Sequence, residues 1–323
     1  MDALELIPRA GHLVAHDFSN DRAAWLAARR TGIGGSDVAA ILGLSPWATP
    51  IMVWRDKTGR DPDGAATWSM KIGTAMEATI AETWAASVGA TLYDLPFLRD
   101  ATHPHRLASV DRVAVMPDGT VALVEVKWSA QGFDEVPAHY LTQIVWYMAI
   151  LGLHRAYLVV GGPYTEPRGL PVEFDPDLAA DIVAACDRFW ADHIVADIEP
   201  APQNADERKG VALRRLEGST AEVDADDATE AIAAELVAAK AALEEAEASV
   251  KGIEAALSEA MAARMAAKVR GQGWTAQVIE KAGAVSYAAY CKRAGIPAEA
   301  LEAFRGKPSR YVMFRQDKPG KEG

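Results

Sequence analysis

The stretch ASVDRVAVMPDGTVALVEVKW, residues 108–128, decides the fold of this chain. The tripeptide PDG at 117–119 is a strong turn signal between two runs rich in β-branched residues. A hairpin centred on this turn would place Asp111 opposite Glu125. Side chains alternate between the two faces of a strand, so Glu125 and Lys127 point to the same side. The stretch therefore predicts a β-hairpin that gathers two carboxylates and one lysine on one patch.

The neighbours of these charged residues are apolar, and Val110, Val124 and Val126 are expected to line the opposite face of the hairpin. Burying unpaired charge in such strands is costly. A divalent cation would neutralise the acids, and carboxylate oxygens suit Mg²⁺ or Mn²⁺. With a lysine to hold an attacking water, the set predicts metal-dependent hydrolysis of a phosphate ester. The alternative is a cross-strand salt bridge on a half-exposed sheet.

Composition is that of an ordinary globular protein, since half of the 323 residues are hydrophobic and 24% are charged. The first residues lack the basic start and apolar run of a signal peptide. The apolar run at 144–153 is too short to span a membrane, so no membrane association is expected. The only cysteines are Cys186 and Cys291, which argues against a disulfide framework and fits a reducing cytoplasm.

Charge is unevenly distributed along the chain, whose net charge is −12. This balance argues against a nonspecific nucleic-acid coat protein. Residues 1–200 and 201–250 are acidic, whereas residues 251–323 are basic. The basic end is the part best suited to a polyanion, although a solvated tail is an equal alternative.

Four segments follow from the pattern of apolar residues. Residues 1–200 alternate helical and strand-like stretches, which is typical of a mixed α/β core with helices flanking a central sheet. Residues 201–228 are rich in Pro, Asn, Asp and Glu and predict a linker. Residues 229–269 carry a heptad pattern and predict one long helix, which pairs with another chain or folds back on its own domain. Residues 270–323 predict a small basic appendage with strands at 274–279 and 311–314.

The predicted elements of the first segment are a set of helices and strands with recognisable ends. Helices are expected at 19–28 with Ser19 as N-cap, 36–42, 50–58, 70–88, 137–151 and 178–196. Strands are expected at 92–98, 107–115, 121–128 and 156–160.

A glycine turn, GIGGSD at 32–37, has the chemistry of an anion site. Glycines such as Gly35 let the backbone approach an anion closely, and Ser36, the expected N-cap of the next helix, offers a hydroxyl donor. Arg29 could add a charge-assisted contact. The alternative is a simple helix cap beside a surface arginine. Walker-type nucleotide binding is not expected, because no lysine follows the glycines.

The hairpin resembles the PD-(D/E)XK nuclease motif, with Val110 in the place of the usual proline. Three further segments resemble YqaJ-type phage recombination nucleases, relatives of lambda exonuclease. They are ARRTGIGGSDVAAILGLSPWATPIMVWRDKTG (28–59), KIGTAMEATIAETW (71–84) and HYLTQIVWYMAILGLHRAYLVV (139–160). Together the segments cover about 25–200 in the order expected for the family. The resemblance implies a restriction-endonuclease-like core with a C-terminal helical arm and a small appendage.

The resemblance also implies roles at the hairpin. Asp111 and Glu125 would bind metal together with the backbone carbonyl of Val126. Lys127 would orient or activate the attacking water. Glu77 would help to hold a second Mg²⁺ from its helix, the alternative being an exposed helix carboxylate.

Two further roles follow from the same resemblance. Gln143 would position the water or a phosphate, the alternative being a buried amide satisfied by backbone. Arg29, Ser36 and Gly35 would bind the 5′-phosphate of a DNA end, although Gly34 stands where the family can carry a hydroxyl residue.

The implied function is a phage or prophage exonuclease that resects duplex DNA ends, 5′ to 3′, to expose single strands. A single-strand annealing protein would be its partner, a homo-oligomer is an open possibility, and the host cytoplasm would be its location. The alternatives are an endonuclease or flap-type nuclease with the same site, and a non-catalytic DNA-binding recombination accessory.

Other candidate residues have simpler interpretations. His103, His105 and His139 have no Cys or His partners at zinc spacing, so loop or surface roles are expected. Trp47 and Trp54 could stack on unpaired bases, but packing against neighbouring helices is the favoured interpretation.

Overall fold

The computed structural model describes residues 3–18, 21–61, 67–272, 274–280, 293–295 and 297. The chain divides into two compact units, Met1–Lys209 and Gly210–Gly323.

A five-stranded sheet forms the centre of the first unit. Its strands are β2 (Thr91–Tyr93), β5 (Arg112–Val115), β6 (Val121–Trp128), β7 (Arg155–Gly161) and β8 (Arg168–Glu173), in the order β2-β5-β6-β7-β8. Strands β6 and β7 run parallel, and the other neighbours are antiparallel. The predicted α/β class with a central mixed sheet is therefore confirmed.

The hairpin has the predicted register, because Val113 pairs with Leu123 and Arg112 with Val124. The strand predicted at 107–115 is nevertheless wrong, since it is two strands.

The two strands belong to different sheets. The first is β4 (Leu107–Ala108), which joins β1 (Leu13–His16) and β3 (Phe97–Asp100) in a separate three-stranded sheet ordered β1-β3-β4. The predicted strand at 92–98 divides in the same way, between β2 and β3. In both cases the chain leaves one sheet for the other, which an apolar pattern alone does not signal.

Helix α4 (Trp68–Val88) covers one face of the central sheet. Its buried residues Ile80 and Trp84 pack in one cluster with Val124 and Val126 of β6. Thr67 caps the helix by accepting a hydrogen bond from its first turn, and Gly89 ends it with a φ of 72°.

Helix α5 (Ala138–Leu151) covers the opposite face. Its residues Ile144 and Met148 are fully buried in a larger cluster that includes Leu123. Val110 packs against this larger cluster, so its expected place beside Val124 and Val126 is wrong. The chain is not a continuous strand between β4 and β5, so the alternation of side chains along β5 does not extend back to Val110.

The remaining helices of this unit are α1 (Arg22–Arg30), α2 (Gly35–Ile41), α3 (Pro50–Lys57) and α6 (Pro176–Phe189). Asp21 caps α1 by accepting from the backbone of Ala24 at 2.8 Å, whereas the predicted cap Ser19 lies outside the described residues. The helix predicted to reach Ala196 ends earlier, and Trp190–Val195 continue as π-helix.

Helix α7 (Ala205–Arg215) lies inside the segment predicted to be a linker.

In the second unit, α8 (Asp227–Ala263) ends before the predicted boundary at 269, and β9 (Lys268–Arg270) pairs with β10 (Thr275–Gln277). The larger apolar side chains of the heptad pattern are exposed on α8, namely Ile232, Leu236, Leu243, Val250, Ile253 and Leu257. The strand predicted at 311–314 and Cys291 lie outside the described residues. Within the described part of the chain, every helix is too short or too polar to cross a bilayer.

Candidate active site

The hairpin brings the three predicted residues together. Asp111 stands immediately before β5, and its Oδ2 accepts a hydrogen bond from the backbone N–H of Val126 at 2.8 Å. On β6, Lys127 Nζ lies 2.5 Å from Glu125 Oε1. The backbone bond holds Asp111 against β6, so the two carboxylates and the ammonium group share one patch.

Glu125 is almost completely buried, with 2% of its surface exposed. Its Oε1 accepts from Lys127 and from Gln143 Nε2, each at 2.5 Å. Its buried Oε2 has no hydrogen-bond partner within the described residues. Burial and then the charge of Asp111 raise the pKa of Glu125 to about 7, although Lys127 opposes the shift. A buried carboxylate oxygen without a protein donor is suited to bind a cation, because the alternative is an unsatisfied acceptor.

Lys127 is a protonated donor at this site. Burial lowers its pKa, but the charges of Glu125 and Asp111 outweigh burial and hold the pKa above its usual range. The ammonium group also lies 5.2 Å from the ring centroid of Tyr140. A lysine held in its charged form can orient and polarise an oxygen, but it is poorly suited to remove a proton.

Glu77 reaches the site from α4, but it is paired with an arginine. Its Oε1 accepts from Arg112 Nη1 at 3.1 Å, and Arg112 Nε also lies 3.1 Å from Asp94. Burial and the charge of Asp111 raise the pKa of Glu77. Across the described ranges, no three His, Cys, Asp or Glu side chains are grouped so that they could hold a metal ion. The metal-binding roles of Glu77 and of the Val126 carbonyl therefore stay predictions.

Arg112 was missed by the sequence analysis. The sequence offered one indication of its role. Arg112 directly follows Asp111, and side chains alternate along a strand, so Arg112 and Val113 point to opposite faces.

Gln143 connects α5 to the hairpin through its bond to Glu125. The alternative interpretation, an amide satisfied by backbone, is wrong for its Nε2, which donates to the carboxylate. Because Gln143 holds the same oxygen as Lys127, it fixes the rotamer of Glu125 and directs Oε2 away from both donors.

Arg29 and Ser36 meet at the glycine turn, as the anion-site hypothesis requires. Arg29 Nη2 donates to Ser36 Oγ at 2.9 Å and lies 3.4 Å from Asp37 Oδ1. The expected capping role of Ser36 is wrong, since Gly34 is the N-cap of α2. Asp37, in the first turn of α2, supports this cap, because its Oδ2 accepts from the N–H of Gly34 at 2.9 Å.

A buried ion pair supports this turn, and the sequence analysis missed it. The side chain of Lys57 is fully buried, and its Nζ lies 2.7 Å from Asp37 Oδ2 and donates to the carbonyl of Arg29 at 3.0 Å. Burial would raise the pKa of Asp37, but the charges of Lys57 and Arg29 hold it below its usual value. Lys57 Nζ also lies 3.6 Å from Asp56 Oδ2, so two acids face the two cations, and Arg29, with 30% of its side chain exposed, is the cation of the turn that an anion can reach.

Gly35 packs directly on α5. A Cβ at this position would lie 2.6 Å from Tyr147 Cζ and 2.9 Å from Gln143 Cγ. The glycine turn thus touches the residue that holds Glu125, and α5 carries contacts to both candidate sites.

The histidine and tryptophan candidates have different outcomes. His105 lies 2.7 Å from Asp187, and no zinc-like cluster occurs in the part of the chain that the structure covers. Trp54 is buried, which confirms its packing role, with Arg60 over its ring at 4.3 Å. Trp47 packs only in part: its ring lies 4.9 Å from that of His139 and 6.2 Å from that of Tyr140 on α5, while 67% of its surface is exposed.

One family model matches part of this chain, and several known proteins are similar to it. Residues 24–154 match the YqaJ-like viral recombinase domain. The YqaJ protein of Bacillus subtilis strain 168 is 31% identical over 206 residues, which are 60% of this chain and 63% of that protein. This chain therefore spans less than two thirds of the length of that relative.

Two crystal structures are more distant. An alkaline exonuclease from Laribacter hongkongensis has 20% identity and a TM-score of 0.46, over 59% of this chain and 98% of that one. A phage-related exonuclease from Haemophilus somnus 129PT has 11% identity and a TM-score of 0.38, over 52% of this chain and 96% of that one.

Proposed function

We propose that this chain, whose residues 24–154 match the YqaJ-like viral recombinase domain, is a metal-dependent deoxyribonuclease that resects duplex DNA ends from 5′ to 3′. The observation that carries the proposal is the buried Oε2 of Glu125, which has no hydrogen-bond partner among the described residues, on a side chain that shares one patch with Asp111 and Lys127. A structural salt bridge would need only one carboxylate oxygen. The second acid and the unpartnered oxygen are the features that a cation would explain.

Mg²⁺, with Mn²⁺ as a substitute and two ions in all, would be held by Asp111, Glu125 and the Val126 carbonyl, with Glu77 assisting. Bound there, the metal would supply a water of lowered pKa and stabilise the charge that develops at the phosphorus.

The chain's own residues position the reactants. Lys127, kept protonated by the two acids, donates to an oxygen of the attacking water or of the phosphate. Gln143 keeps Glu125 in the rotamer that presents Oε2. Arg112 neutralises Glu77, so a DNA phosphate does not meet three uncompensated carboxylates.

The choice between end resection and internal cleavage is tested with matched DNA substrates. A 5′-phosphorylated linear duplex and a closed circle of the same sequence are incubated with Mg²⁺, and in parallel with EDTA. We expect the linear DNA to lose nucleotides only with Mg²⁺, and the circle to stay intact. Cleavage of the circle would instead support the endonuclease alternative, and no hydrolysis of either DNA would support the non-catalytic accessory.

We further propose that Arg29, Ser36 and the Gly35 backbone bind the 5′-phosphate of the DNA end. Replacing Arg29 with Ala should reduce cleavage of 5′-phosphorylated ends by about tenfold or more, as expected for the loss of a charge-assisted hydrogen bond, and should affect 5′-hydroxyl ends less. The measurement is the initial rate on the two end types. Arg30→Ala is the matched control, since Arg30 contacts Asp56 at 3.4 Å on α3. An equal loss on both end types would reject the phosphate role.

We propose that residues 1–200 form the nuclease domain and that the exposed single strand passes to a single-strand annealing protein in the host cytoplasm. A homo-oligomer remains compatible with the exposed heptad positions of α8, since such positions pair with a second helix in coiled coils.

A further inference from the structure

A row of aromatic side chains extends outward from Lys127. The ring of Tyr140 lies 5.2 Å from Lys127 Nζ, and the ring of His139 lies 4.2 Å from that of Tyr140. Trp47 follows at 4.9 Å from His139. His139 and Tyr140 are half-buried, whereas Trp47 is mostly exposed. The row therefore connects the candidate active site to solvent.

The exposure of Trp47 is not a consequence of a loose backbone. The loop between α2 and α3 is held by Ser45, whose Oγ accepts from the backbone N–H of Trp47 at 3.2 Å and of Ala48 at 3.1 Å. Thr49 then begins α3 as its N-cap, followed by Pro50. An indole on a fixed backbone loses little conformational freedom when it binds a flat partner. With two thirds of its surface exposed, the ring offers a face to such a partner.

Nucleobases are the flat partners that a nuclease site meets. Unpaired bases stack on aromatic side chains with little dependence on sequence, since every base has a π-face. A base next to a phosphate at Lys127 would lie within reach of the aromatic row, because each ring is within 5.2 Å of the next group along it.

The position of the aromatic row along α5 determines which nucleobase of the bound strand can contact it. Tyr147 lies against Gly35 in the glycine turn, Gln143 bonds Glu125, and Tyr140 stands beside Lys127. Tyr140 and Tyr147 are seven residues apart, which is about 10 Å along a helix axis. The row and the glycine turn therefore flank the acidic patch from opposite ends of α5.

We propose that Trp47 is a stacking platform for the second nucleobase from the 5′ end of the strand being cut, and that the His139 ring, at 86° to the indole, supports it edge-on. This inference rests on the proposed function: the terminal phosphate lies at Arg29, the scissile phosphate at the carboxylates, and the next base on the aromatic row. The platform would hold that base out of the duplex and keep the scissile phosphate at Lys127.

The test is binding without turnover, measured in EDTA by fluorescence anisotropy. The probes are 5′-phosphorylated duplex ends that carry one abasic site at position 1, 2 or 3 of the strand being cut, and the intact duplex end. We expect Trp47→Ala to weaken binding of the intact end by about tenfold and Trp47→Phe by much less, since phenyl retains a stacking face. On the end that is abasic at position 2, the wild type and Trp47→Ala should bind equally.

The matched control is Trp68→Ala, which removes another exposed indole, at the start of α4, and should leave all affinities unchanged. An equal loss for Trp47→Ala on all four ends would overturn the platform, and so would no loss on any. Failure of the proposed function is distinguishable, because the wild type would then leave the linear duplex uncut in Mg²⁺. A wild type that binds no end in EDTA would overturn both.

Discussion

Replacing Lys127 with Ala should reduce hydrolysis of linear DNA by roughly 10²- to 10⁴-fold, the range for a positioned group that acts on protons or developing charge. The reason is that Lys127 is held charged by Glu125 and Asp111, 2.5 Å from the first of these. The measurement is the initial rate of nucleotide release at saturating Mg²⁺.

Asp111→Asn and Glu125→Gln should abolish detectable cleavage, because each removes a carboxylate proposed to bind the metal.

These losses must be separated from unfolding. Glu125→Gln keeps an oxygen that can accept from Lys127 and Gln143, so its circular dichroism and melting temperature should match the wild type or exceed it. Glu82→Gln is the matched control, since Glu82 is exposed on the same helix as Glu77, and it should retain full activity. Undiminished turnover in Lys127→Ala or Glu125→Gln would refute the site assignment.

Replacing Gly35 with Ala should reduce activity by about 100-fold, which is the cost of misplacing reacting groups by about 1 Å. The added Cβ would lie 2.6 Å from Tyr147 and 2.9 Å from Gln143, so α2 and α5 must separate. That movement displaces Gln143 from Glu125 and the glycine turn from the acidic patch. The loss of stability should be about 1–3 kcal/mol, as is usual for an overpacked contact.

The neighbouring glycine provides the control for this experiment. A Cβ at Gly34 would meet only Asp37 Oδ2, at 3.8 Å, so Gly34→Ala should keep near-normal activity. Rates and denaturant midpoints are measured for both variants. If Gly35→Ala cuts DNA as fast as Gly34→Ala, the close contact of the turn with α5 is not required for activity.

Much of the site was predictable because it depends on alternation along one hairpin. The turn at 117–119 set the register, and the register placed Asp111 beside Glu125 and Lys127. The place of Gln143 at the site was expected only through the family resemblance, and its bond to Glu125 was not predicted, since the distance in sequence between the two residues carries no local signal.

The errors came from interactions between distant or competing groups. Ser36 is a residue type common at N-caps, but α2 already begins at Gly35, and the Ser36 hydroxyl accepts from Arg29 instead. Lys57 is 20 residues from its partner Asp37 in the sequence, and its burial could not be inferred from a charged residue at the end of a helix. Trp47 lies in a loop, where apolar periodicity does not say which residues are covered.

If the proposed function holds, helix α5 would fix the length of the released fragments. Tyr147 beside the glycine turn, Gln143 on Glu125 and Tyr140 beside Lys127 belong to one helix, so the span from the DNA end to the cut would be the same in every cycle. Digestion should therefore yield products of uniform size, one nucleotide each, from the first cut to the last.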